Sequence, residues 1–175
     1  VFSQKLEDLT EEERNILSLC SAEGKQFTAV IVSDLMNTDI LTAIKKLRGL
    51  QNKTGIIKSI GAKKRYGIKT TVYEFTQGFY KQFFENALEY EEYTAIHGQI
   101  ASLLKQKYEE SEAAEIKEQI APYLAAHSAE AGDEETAQSM LIETAKVAKK
   151  FGSMDIMKSA YESYKQYGKP DNDEE

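Results

Sequence analysis

Apolar residues recur at three- and four-residue spacing along most of this chain, and the period changes once. Thr10-Glu11-Glu12-Glu13 precedes Ile16, Leu17 and Leu19. That is a capping-box pattern: Thr10 accepts from the amide three residues on, and Glu13 reaches back to the cap. It predicts a helix over about 11–20 that ends near Gly24. Phe27 falls in a short extended link, and Thr28 caps a second short helix carrying Val30, Ile31, Leu35 and Met36 up to Asn37. A third helix opens at Thr38 or Asp39. Ile40, Ile44 and Leu47 supply its expected buried stripe, with Ala43 and Leu50 beside them, and Gly55 ends it.

Next the pattern shortens. Ile56, Ile57 and Ile60, then Thr70 to Tyr73 and Phe75, form two β-rich runs. Between them Gly61-Ala62-Lys63-Lys64-Arg65-Tyr66-Gly67 reads as a glycine-bounded basic loop, so a hairpin with an extended tip is expected.

From Thr76 onward the spacing is helical throughout. Phe79, Tyr80, Phe83, Phe84, Ala87 and Leu88 mark one helix, its aromatic stripe reading as core. Tyr93, Ile96, His97, Ile100, Ala101, Leu103 and Leu104 mark another, ending around Tyr108. An acidic helical stretch over 109–119 leads to a helix from Ile120 to Ala131 with Pro122 in its first turn, where proline is tolerated. Gly132-Asp133 stops it and caps the next, striped by Ala137, Met140, Leu141, Thr144, Ala145, Ala148 and Phe151; Gly152-Ser153 repeats the punctuation before Met154, Met157, Ala160, Tyr161 and Tyr164. Ala137, Ala145 and Ala148 are expected where antiparallel helices approach closely, and Phe75, Phe79 and Phe83 at a rigid junction, since no Gly/Ser/Pro-rich linker separates the halves. The fold class is mainly α with one β-hairpin: one domain over 8–76, an all-α antiparallel region over 77–168, and a disordered acidic tail over 169–175.

Charge sharpens this division. The 175 residues carry net −7, yet residues 41–81 hold ten cations against Glu74 alone, while 1–40 carry −5 and 82–175 carry −11. A local positive field of that kind suits a polyanion or an acidic protein surface, or pairs with the chain's own acids. One cysteine, Cys20, excludes an internal disulfide, and two histidines thirty residues apart, His97 and His127, argue against a histidine metal centre; both read as packing residues, as does Cys20. No P-loop is present, because Gly24-Lys25 is followed by Gln26 and lacks the upstream glycine. No cofactor and no catalytic residue are expected. With no apolar run near the ~20 residues of a membrane span and no signal-peptide pattern, a cytoplasmic setting without membrane contact is expected. The chain opens on Val1 rather than Met, which predicts a segment of a longer protein.

Three helices followed by a hairpin with a basic tip resemble a winged-helix domain. The resemblance makes the third helix a recognition helix presenting Thr42, Lys45, Lys46, Gly49 and Lys53, with Arg48 to one side, and gives Lys63, Lys64 and Arg65 to the wing. Such a helix fits the major groove, and lysines there act on phosphates, giving affinity with little base choice; Gln51 and Asn52 are the base readers nearest the helix end. The same face also serves for docking a protein.

The ordered series continues with Tyr73-Glu74-Phe75, then His97, Ile100, Ala101 and Leu104, then Leu124, Ala125, His127, Ala131, Gly132, Asp133 and Ala137. Over residues 14–165 it resembles the winged-helix and tetratricopeptide-like region that follows the nucleotide-binding module in STAND-type signalling ATPases and large bacterial transcriptional regulators. Gln77 stands where that family often has histidine, and Tyr93 where arginine is frequent. The resemblance implies a non-catalytic regulatory segment whose winged helix docks on an upstream ATPase module or a protein partner. The alternative is a stand-alone regulator that binds duplex DNA and dimerises through its helical half.

Overall fold

Thr10 and Glu13 form the capping box reciprocally: the Glu13 amide donates to Thr10 Oγ1 at 3.1 Å, and the Thr10 amide to Glu13 Oε2 at 2.9 Å. Helix α2 (Glu11–Glu23) starts there, preceded by α1 (Phe2–Glu7), which the sequence pattern did not mark. Leu6 and Leu9 enter the core, and Arg14 holds the Leu6 carbonyl at 2.7 Å, so the first domain begins before residue 8. The computed structural model describes residues 2–150 together with 152, 154, 155, 158 and 162.

The remaining elements are β1 (Gln26–Thr28), α3 (Ala29–Leu35), α4 (Ile40–Thr54), β2 (Ile57–Arg65), β3 (Ile68–Phe75), α5 (Gly78–Asn86), α6 (Tyr90–Glu110), α7 (Ala114–Glu130) and α8 (Glu134–Lys150). The protein is mainly helical, with one small antiparallel sheet in the order β1-β3-β2. The expectation of a lone hairpin is therefore corrected. Phe27 is a strand residue opposite Tyr73, and the two rings stack at 5.8 Å. Three residues are too few to show an alternating pattern.

The hairpin tip also differs from expectation. Strand pairing runs through Arg65↔Ile68, leaving a two-residue turn at Tyr66-Gly67 with φ of 55° and 77°. Positive φ at both positions makes a tight turn whose twist suits the strands. Gly61 lies at a register shift, so the basic stretch is mostly strand rather than loop.

The chain divides into a first compact unit, Val1–Ile96, and a second from His97. The first is centred on Leu17, Cys20, Phe27, Val32, Leu47, Leu50, Ile57 and Phe75. Tyr80 and Phe84 of α5 join that core, so α5 packs with the elements before it although the sequence places 77–86 with the later helices. The aromatic stripe is split: Phe79 and Phe83 are 49% and 40% exposed.

In the second unit α7 and α8 pack as a helical hairpin across Ala131, Gly132 and Asp133, with Asp133 capping α8 through the Thr136 amide at 3.1 Å. Ala137 and Ala148 are buried and Ala145 is half-buried. Pro122 is interior to α7, which begins at Ala114 instead of near 120, so the Glu118 carbonyl lacks its usual helix donor. Phe151, Met157, Ala160, Tyr161, Tyr164 and the tail over 169–175 lie outside the described residues.

Candidate interaction surface

Helix α4 is bounded by its own chemistry. Asp39 accepts from the Thr42 amide at 2.9 Å and the Thr42 hydroxyl at 2.6 Å, and these bonds hold the Asp39 pKa below its ordinary value. Gly55, with φ of 65°, closes the other end in the left-handed region that glycine tolerates. Ala43, Leu47, Leu50 and Thr54 face inward. The expected stripe was centred elsewhere: Ile40 is 41% exposed and Ile44 only partly buried.

This register decides where the cations point. Lys46 pairs with Glu12, and Lys53 Nζ lies 2.8 Å from Glu13 Oε2. Burial works to raise the Glu13 pKa, but the Lys53 and Thr10 hydrogen bonds outweigh it and leave it lowered. Lys58 pairs with Glu74 at 3.2 Å in the same unit. Facing outward at i, i+4, i+7 and i+11 are Leu41, Lys45, Arg48 and Asn52, all exposed, with Leu41 at 71%. Among the described residues neither Lys45 nor Arg48 has an ion pair.

On the hairpin, Lys63 stands opposite Thr70 and Lys64 opposite Lys69. Adjacent strand residues point to opposite faces, so these two lysines do not share one. Arg65 turns to Gln26, donating to Oε1 at 2.8 Å. The predicted site residues thus separate: Lys46 and Lys53 meet the start of α2, Lys45 and Arg48 face outward, Lys63 and Lys64 diverge, and Arg65 meets β1. Two polar candidates are engaged internally, Thr42 in the helix cap and Gln51 with the Ser59 amide at 2.6 Å.

Two buried polar groupings escaped the sequence reading. Glu23, at the end of α2, accepts from the Thr28 amide at 2.8 Å, the Thr28 hydroxyl at 2.9 Å and the Tyr66 hydroxyl at 3.0 Å. His97 and His127, in the second unit, place their Nδ1 atoms 2.8 Å apart with rings stacked at 5.1 Å. One ring must donate and the other accept. Cys20 is fully buried, and burial together with Glu23 raises its thiol pKa well above the ordinary value. Such a thiol stays protonated and unreactive at neutral pH. Among the described residues no three or more His, Cys, Asp or Glu side chains gather to hold a metal ion, and no helix is long and apolar enough to cross a membrane.

No protein-family model, no curated protein and no solved structure matches the chain.

Proposed function

We propose that this chain is a non-catalytic regulatory segment of a STAND-type signalling ATPase or transcriptional regulator, working in the cytoplasm. Its first unit is a winged helix that docks on an ATPase module or another protein, and its later helices form a tetratricopeptide-like interaction region. The element order α2-β1-α3-α4-β2-β3 and the sheet order β1-β3-β2 support the winged-helix reading, and the α7–α8 hairpin supports the helical one.

The observation that carries docking over DNA binding is the pairing of Lys46 with Glu12 and Lys53 with Glu13. Ion-paired cations do not release counterions from phosphates as free ones do. Thr42 and Gln51 are also engaged internally, which leaves Asn52 as the base-reading candidate that faces outward.

Titration with a 20-bp duplex at about 50 mM salt separates the readings. Docking predicts no saturable binding. A DNA-binding regulator using six phosphate contacts predicts log K falling with log salt at a slope near −5, about 0.9 per contact. A slope of that size would overturn the docking role.

A further inference from the structure

Gly49 sits in the interior of α4 on its exposed side, and a Cβ built there would meet nothing within 4 Å. An exposed glycine inside a helix destabilises it relative to alanine. Neither a left-handed backbone nor a neighbouring atom among the described residues requires one at this position. Helix spacing puts Gly49 beside Lys45, Arg48 and Asn52, one turn or less away on the same side, with Leu41 beyond Lys45. A residue without a side chain is what a helix offers where another backbone must come close.

Resting on the docking role above, we infer that the outward face of α4 receives an acidic amphipathic helix from a partner protein, crossing α4 at Gly49. Its carboxylates meet Lys45 and Arg48, and its apolar residues cover Leu41 and Ile40. Charge complementarity selects an acidic partner, because the two outward cations have no ion pair among the described residues. The apolar pair selects a protein over a phosphate backbone: Leu41 and Ile40, 71% and 41% exposed, gain nothing from phosphate. The missing Cβ selects a crossing element narrow enough to use it.

The probe is a synthetic helical peptide with a Leu/Ala stripe flanked by glutamates, followed by fluorescence anisotropy at about 50 mM salt. A peptide of the same composition with the stripe scrambled serves as control. The wild-type protein binds the amphipathic peptide, and the scrambled one at least about tenfold more weakly. Gly49→Ala raises the melting midpoint by about 4 °C while weakening the amphipathic peptide about tenfold. The pair Lys45→Glu and Arg48→Glu weakens it by a similar factor with little change in midpoint. If the charge reversal weakens binding and Gly49→Ala does not, the crossing point is wrong and docking stands. Equal binding of both peptides, or none by the wild type, overturns the amphipathic helix as occupant. Saturable, salt-steep duplex binding instead overturns the docking role itself.

Discussion

The Tyr66 hydroxyl donates to Glu23 Oε1 over 3.0 Å, joining the hairpin turn to the end of α2 across 43 residues of chain. Burial raises the Glu23 pKa from 4.5 to about 7, against the lowering pull of the Thr28 and Tyr66 hydrogen bonds and the Arg65 charge. The folded protein therefore holds this proton more tightly than the unfolded chain does. The resulting stabilisation is complete below pH 4.5 and is lost as pH rises through about 7. That gap is worth about 3 kcal/mol. Glu23→Gln, which retains a hydrogen-bonding oxygen without the titration, is expected to remove this slope. Urea unfolding between pH 5 and pH 8 measures it; parallel wild-type and variant profiles would show that Glu23 is not the source.

Thr10→Ala is expected to destabilise the protein by about 1 kcal/mol through loss of the helix cap. Glu13→Ala should cost somewhat more, since Glu13 serves both the cap and Lys53. A double-mutant cycle on Glu13 and Lys53 should return a coupling below about 1 kcal/mol, as befits a partly exposed ion pair. A coupling well above that would mean the pair is more shielded from solvent than its geometry indicates.

The Thr10 cap was legible because a cap is local: the residues that form it lie three apart. The same holds for the Gly55 stop and the α8 cap at Asp133. The register of α4 was not. Ile40, Ile44 and Leu47 make one apolar line and Ala43, Leu47 and Leu50 another, and the two share Leu47. Only the elements packing against the helix choose between them, and that choice turns Lys46 and Lys53 toward α2. In α5 the same ambiguity arises between Phe79/Phe83 and Tyr80/Phe84. Glu23 with Tyr66 and His97 with His127 have partners 43 and 30 residues away, where no helical or strand period reaches.

Burial of the two aromatic pairs on α5 predicts unequal effects. Phe84, fully buried beside Phe75 with ring centroids 6.4 Å apart, should cost about 3–5 kcal/mol when replaced by alanine. Phe79→Ala, at a half-exposed position, should cost less than about 1.5 kcal/mol. Chemical denaturation of both variants gives the comparison, and equal losses would contradict the packing of α5 through Tyr80 and Phe84.

The His97–His127 contact requires the two rings to differ at Nδ1, one carrying the hydrogen and the other the lone pair, which in two neutral rings means different tautomers. Nitrogen-15 spectra of the imidazoles at pH 8 are expected to show one ring protonated at Nδ1 and the other at Nε2. Two rings both protonated at Nε2 would leave the pair without a bridging hydrogen. His127→Ala should destabilise the second unit by about 1–3 kcal/mol by stranding a buried imidazole nitrogen.

Among the described residues strand β2 has a strand partner on one side only, and a free strand edge can recruit a strand from a neighbouring molecule. Lys58, Lys63 and Lys64 stand along it, and the shift at Gly61 breaks its regularity. Lysines and bulges on a free edge discourage cross-chain pairing. Part of the positive charge concentrated in residues 41–81 thus stands where it opposes the zipping together of copies of the protein.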